Sequence, residues 1–322
     1  MSVLTQSETL TWTGAGGAPL AGTFTRPAGA GRAPALLLIQ GSGPTDRDGN
    51  QRPHMVSDLL KDTADLLAGL GVATLRYDKR GLGAVSGTLP TDPQMLLEFV
   101  RWEHFVGDAE AAFGVLRAHD GVDAGRVGLL GHSEGGLIAL DLAAAGRVEP
   151  AALVLAATPG RPVAALLRDQ LGRMARGQGA PQSVIAAILD DNDRIIAHLI
   201  ETGQYPAQIH PGLAALYPAY LRLFWRSMAA LDPVALALRC RGPVLVIGGE
   251  QDVQVSPERD LAALADGLGR RTRPDASHRL VILPGASHNL KPVAGDEPGV
   301  TGPPHEGYAA SLAGWLAQIG WI

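Results

Sequence analysis

The chain has one cysteine, Cys240, and only three lysines, Lys61, Lys79 and Lys291, among 322 residues. A single cysteine excludes an intrachain disulfide, and Cys240, beside an apolar stretch, is expected as a small residue at the edge of the core. There is no basic block and the net charge is −5, which argues against nucleic acid and anionic membrane as partners. Arginine carries the rest of the positive charge, a pattern that together with the abundant alanine reads as compositional bias. The nine histidines are scattered, without a His-Glu-x-x-His pattern or a cysteine pair, so no zinc site is expected. The acidic run Asp190-Asp191-Asn192-Asp193 lacks the alternation and central glycine of a calcium loop and is expected as a solvated helix face. The best apolar run, residues 33–39, is far too short to span a bilayer. Residues 1–8 show neither a basic start nor a following apolar stretch, so no signal peptide is expected and the chain is expected in the cytoplasm.

What the chain does have is a regular alternation. Strand patterns are expected at residues 10–13, 20–25, 33–40, 72–77, 127–130, 152–156, 243–248 and 280–283. Helical spacing lies between them at 56–70, 99–119 and from 135 onward, and a closing helix spans 307–319. Strands alternating with helices imply a mostly parallel sheet flanked by helices. The rhythm breaks at residues 161–238, which show helical patterns at 163–176, 183–202 and 213–230 and no convincing strand. This segment is expected to be a helical cap inserted into a core formed by residues 1–160 and 239–322. Its aromatic cluster, Tyr217, Tyr220, Phe224 and Trp225, is expected mainly to pack the cap on the core.

The most informative segment is Leu129-Leu130-Gly131-His132-Ser133-Glu134-Gly135-Gly136, a short apolar strand running through Gly-x-Ser-x-Gly into an Ala/Leu-rich helix. A sharp strand-to-helix turn lifts one hydroxyl above the sheet, and the crowding requires glycine on either side. Ser133 is therefore the expected nucleophile. In such an architecture the acid and then the histidine follow along the chain, each at the C-terminal edge of the sheet. Asp252, just past the strand at 243–248, is the acid candidate, with Glu250 as its neighbour and competitor. Two histidines close Ala-Ser-His triplets. His278 precedes the last strand and is expected as a solvated loop residue. His288 follows that strand, at the end where chemistry gathers in such sheets, and is the expected general base. The oxyanion donors are expected to be the backbone N–H of Glu134 and one from the loop after residue 40, that of Ser42 or of Gly43. Asp46 and Arg47 are expected as a pair bracing that loop, and the turn at 78–81 as a structural hinge.

The loop Gly41-Ser42-Gly43-Pro44-Thr45-Asp46-Arg47-Asp48-Gly49, the turn Arg76-Tyr77-Asp78-Lys79-Arg80-Gly81 and the motif Gly-His-Ser-Glu-Gly-Gly together resemble the α/β-hydrolase superfamily, over nearly the whole chain. Within it they look like bacterial carboxylesterases related to the serine aminopeptidase and dienelactone hydrolase groups. The resemblance implies an α/β-hydrolase fold, a Ser133–Asp252–His288 triad, no cofactor and a helical cap. Members of this kind commonly cleave short-acyl esters. Gln40-Gly41 stands where the family usually has His-Gly, which bears on the second oxyanion donor.

A near-miss to a dinucleotide fingerprint, Gly81-x-Gly83 with Ser86 in place of the third glycine, is not followed by a helix, so no nicotinamide cofactor is expected. The expected activity is that of a serine carboxylesterase with a small-molecule ester substrate, homodimerisation being left open. A serine peptidase or thioesterase with the same triad, with Glu134 or the cap acids reading a substrate amine, and a non-catalytic ligand-binding hydrolase fold are the alternatives.

Overall fold

A computed structural model describes residues 5–29, 31–273, 277–295 and 297–322. Residues 1–4, where the signal-peptide reading begins, and Ala276 of the first Ala-Ser-His triplet lie outside them. Among the described residues no helix is long and apolar enough to cross a membrane.

Eight strands form one sheet: β1 (Thr5–Thr13), β2 (Pro19–Pro27), β3 (Ala33–Ile39), β4 (Ala73–Tyr77), β5 (Val122–His132), β6 (Leu153–Ala156), β7 (Val244–Gly249) and β8 (His278–Leu283), in the order β1-β2-β4-β3-β5-β6-β7-β8. The pairs β1–β2 and β2–β4 are antiparallel and all the others parallel. The helices are α1 (Leu59–Gly69), α2 (Pro93–Phe99), α3 (Trp102–Ala118), α4 (Glu134–Ala144), α5 (Val163–Gly177), α6 (Gln182–Thr202), α7 (Arg222–Ala229), α8 (Pro233–Arg239), α9 (Ala262–Gly269) and α10 (Glu306–Gln318).

Strand β3 shows why the sheet is covered on both sides. Every residue is buried, and alternate side chains serve opposite layers. Leu37 and Ile39 join Trp102 and Phe113 of α3 and Leu137 of α4. Leu36 and Leu38 join Leu60 and Leu67 of α1 and Tyr308 and Trp315 of α10. Helices α5 to α8 all fall between β6 and β7, and α8 packs on α4 and α9. Cys240 is fully buried, and burial pushes its thiol up to about 12.

Several element bounds differ from the sequence reading. Residues 99–119 hold the end of α2, a break at Val100 and Arg101, and α3; α2 itself starts on an Asp92 cap followed by Pro93. The stretch 213–230 is helical only from Arg222, because Pro211 and Pro218 limit the preceding residues to short 3-10 turns. A helical segment missing from the reading follows Ser256, whose hydroxyl caps Arg259 N–H; it runs from Pro257 through α9. His278 is the first residue of β8, not part of a loop. Asn192 in the acidic run is fully buried and accepts the Tyr217 hydroxyl at 2.6 Å, so that run is not wholly a solvated face. In the aromatic cluster Tyr217, Phe224 and Trp225 are buried and Tyr220 is exposed.

The turn after β4 is no simple hinge. Its charged residues are buried and paired: Arg76 with Asp48, Asp78 with Arg47, Lys79 with Glu134, and Arg80 with Asp108. Arg47 thus braces the loop through Asp78 rather than Asp46, whose carboxylate instead accepts the N–H groups of Asp48 and Asn50. Arg80 grips Asp108 through two nitrogens at 2.6 and 2.8 Å and also donates to the carbonyls of Phe99 and Ala15. Removing one partner of such a pair leaves an uncompensated buried charge. Asp108→Ala is therefore expected to lower stability by about 3–5 kcal/mol in urea denaturation, more than any loss of packing at a single alanine-sized site.

Candidate active site

Strand β5 ends at His132 and α4 begins at Glu134, which leaves Ser133 alone to turn the chain. Its backbone sits at φ 55°, ψ −120°, a region that costs a non-glycine residue energy and marks functional turns. The neighbours permit it by lacking side chains. A Cβ on Gly131 would stand 2.2 Å from the carbonyl oxygen of Gly135, and one on Gly135 would stand 2.2 Å from that of Ile39. Ser133 N–H donates to Ala156 O at 2.8 Å, which anchors the turn to the end of β6. The half-buried serine is thereby presented at the C-terminal edge of the sheet. Glu134 is the first residue of α4, so its N–H has no partner within the helix and lies at the positive end of the helix dipole.

Asp252 and His288 meet at this edge from β7 and β8. His288 Nδ1 and Asp252 Oδ2 are 2.7 Å apart, and both side chains are largely buried. The other carboxylate oxygen of Asp252 accepts the N–H groups of Gln254 at 2.7 Å and Val255 at 2.9 Å, so the carboxylate plane is held from two sides. The two loops approach closely; a Cβ on Gly249 would lie 2.1 Å from Ala286 O. Glu250 is turned away and accepts Gly285 N–H. His278 starts β8 opposite Val244, at the far edge of the sheet.

Two residues that the sequence reading passed over brace this arrangement. Asp260, fully buried, accepts N–H groups of Gly160, Arg161 and Ser256 and two nitrogens of the Arg161 guanidinium, which ties the Asp252 loop to the start of α5. His132, beside the serine, donates from Nε2 to His288 O at 2.9 Å, and the two imidazole rings are 4.8 Å apart. Only burial marks these roles, and neither residue type nor spacing reveals it in advance.

The loop after β3 closes the site. Gly41 lies against the turn, its Cβ position 3.4 Å from that of Ser133. Its carbonyl accepts Lys79 Nζ at 2.7 Å, and the same ammonium reaches Glu134 Oε1 at 2.8 Å. Ser42 O accepts from Thr45 Oγ1 and Gln51 Nε2 at 2.8 and 2.7 Å. Ser42 and Ser133 lie where two clefts join. One, about 70 Å³, is lined by Gln51, His132, His288 and Asn289. The other, about 100 Å³, is lined by Leu137, Leu166, Leu167, Trp225, Met228 and Val255. Trp225 of the aromatic cluster therefore both packs and faces the cleft. Arg161 borders the second cleft, but its guanidinium is taken up by Asp260 and Asp169.

Burial, and then the neighbouring His288, hold His132 down at about 3, against an ordinary value near 6.5. The unfolded chain takes up this proton as pH falls through 6.5 while the native state refuses it. The contribution to stability is complete above that value and drains away down to about 3. His132→Asn is expected to flatten the stability curve between pH 6 and 4, removing roughly a tenfold change in the folding constant per pH unit, as read by urea titrations of both proteins.

The chain matches the family model "Serine aminopeptidase, S33" over residues 53–291. It is 31% identical over 252 residues to Esterase EstD of Thermotoga maritima, an alignment that covers 78% of this chain and 54% of EstD, so the chain spans about half of that relative's length. Among solved structures it superposes on Est1E from Butyrivibrio proteoclasticus (TM-score 0.57, 15% identity, 97% of this chain and 98% of the other). It also superposes on a thermophilic esterase from Thermogutta terrifontis (TM-score 0.56, 20% identity, 98% and 99%). At such identities these structures speak for the fold alone. With the family match, the strand order and the Ser133 turn, the chain belongs to the serine aminopeptidase S33 family of α/β-hydrolases.

Proposed function

We propose that the chain is a serine carboxylesterase that hydrolyses short-acyl esters through an acyl-enzyme. The observation that carries this reading is the Asp252–His288 pair at 2.7 Å in the same cleft as a serine held on a strained turn. A serine hydroxyl is a weak nucleophile near neutral pH and needs a base that is itself oriented. His288 takes the Ser133 proton at Nε2 as Oγ attacks the ester carbonyl, while Asp252 keeps the proton on Nδ1 and stabilises the imidazolium. The N–H groups of Glu134 and Ser42 hold the oxyanion. The alcohol leaves with the proton from His288, and water repeats the sequence to free the acid.

The leaving oxygen must receive its proton from His288, which assigns the 70 Å³ cleft to the alcohol and the apolar 100 Å³ cleft to the acyl group. An apolar cavity of about 150 Å³ accommodates benzene, so the acyl cleft suits a chain of a few carbons. Residues 161–238 serve as the cap, supplying Trp225 and Leu166 to the acyl wall, over a core of residues 1–160 and 239–322. The name of EstD supports ester substrates. The aminopeptidase alternative asks for a free carboxylate near the serine, and Glu134, next to it in the chain, is buried and engaged by Lys79.

Against p-nitrophenyl esters from acetate to palmitate, turnover is expected to peak at short chains. Ser133→Ala should lower it by about 10⁶-fold without unfolding the chain. A folded Ser133→Ala variant that retains turnover, or a palmitate optimum, would overturn the reading. Asp252→Asn presents the wrong tautomer of His288 and is expected to lower kcat by about 10⁴-fold with little change in melting temperature.

A further inference from the structure

Two of the three lysines in this arginine-rich chain are buried, and one of them lies beneath the proposed oxyanion donors. Lys79 Nζ bridges Gly41 O at 2.7 Å and Glu134 Oε1 at 2.8 Å, and stands 5.4 Å from the centre of the Phe105 ring. Both lysine and glutamate are at least nine-tenths buried. A compact ammonium with three divergent donors meets these two acceptors at once.

The consequence follows from peptide geometry. In a trans peptide the C=O and the next N–H point in opposite directions within one plane. Drawing Gly41 O onto Lys79 therefore turns the Ser42 N–H the other way, and Ser42 borders both clefts together with Ser133. The next carbonyl, that of Ser42, is fixed by Thr45 and Gln51, so the loop has little freedom to rotate the donor away. A cation on a carbonyl also polarises the peptide and strengthens its N–H as a donor. The other end of the bridge holds Glu134, the residue whose own N–H is the second donor. One ammonium thus couples the two backbone segments that receive the negative charge.

We propose that Lys79 is a positioning residue of the oxyanion hole: it sets the Gly41–Ser42 peptide plane and its register against the start of α4. This rests on the esterase reading of the same cleft. The competing view is that the pair merely stitches β4 to α4.

The test compares Lys79→Met, Lys79→Arg and the double variant Lys79→Met/Glu134→Leu with wild type. The double variant replaces the ion pair by apolar side chains, so no buried charge is stranded and it is expected to fold even where the single variant does not. Measured are kcat and KM on p-nitrophenyl butyrate, inhibition by a short alkylboronic acid, whose tetrahedral adduct occupies the oxyanion site, and thermal melting. For the folded double variant, kcat is expected to fall about 10²–10³-fold with KM little changed, and boronate affinity to fall in parallel. Lys79→Arg, which keeps a cationic donor, is expected to restore part of both. A folded double variant within about threefold of wild type in kcat and boronate affinity would overturn the proposal, as would a loss confined to KM. If wild type cleaves no ester, the esterase reading fails separately. The rate at which a fluorophosphonate labels Ser133, which draws on the same donors, then takes the place of kcat, and wild-type labelling no faster than the double variant sinks the Lys79 role too.

Discussion

The geometry of the cleft depends on three backbones passing too close for side chains at the start of α4. Strand β5, helix α4 and the end of β3 press on one another where Cβ atoms on Gly131 or Gly135 would fall 2.2 Å from carbonyl oxygens. Gly136 is confined instead by the side chain of Thr158. This compression holds Ser133 at positive φ, a conformation that a relaxed turn would abandon. It also places Ser133 between the end of β5 and the first residue of α4, Glu134. The strain is borne by the inner strands β3, β4, β6 and β7, which expose almost nothing to solvent.

Around this turn lies a layer of ion pairs, Lys79–Glu134 and Arg80–Asp108 buried at both ends and Arg47–Asp78, Arg76–Asp48 and Arg161–Asp260 buried at one. Each joins a loop at the C-terminal edge of the sheet to an element that would otherwise be free to shift. Such pairs add little net stability compared with apolar packing, but they demand one arrangement of the partners. Charge is thereby used up in the scaffold, and the two clefts that meet at Ser133 are lined mainly by neutral groups. The proposed ester substrate, being neutral, suits that environment.

The alternation of strands and helices and the Gly-x-Ser-x-Gly turn were legible in the chain because periodicity and glycine crowding are local properties. The elements misjudged were those whose ends depend on single residues: the proline-limited turns before α7, and the helix capped by Ser256 and Pro257. Asp252 and His288, which the structure brings to 2.7 Å, could be placed at one sheet edge because each follows a strand. Glu250 was a real competitor until its bond to Gly285 N–H placed it elsewhere.

Sequence alone determined that one serine would sit on a strand-to-helix turn and that an acid and a histidine would follow at the same sheet edge. Those features are written in patterns within a few residues of each other. Only the tertiary structure decided that His132 is held neutral against His288, that Asp260 ties the Asp252 loop to Gly160 and Arg161, and that Lys79 joins Gly41 to Glu134. Each of these joins residues far apart in the chain, and their effect comes from burial, which strengthens a paired charge and penalises an unpaired one. The low count of lysine looked like compositional drift. At position 79 the ammonium lies between a loop carbonyl and the Glu134 carboxylate, partners that no sequence pattern brings together.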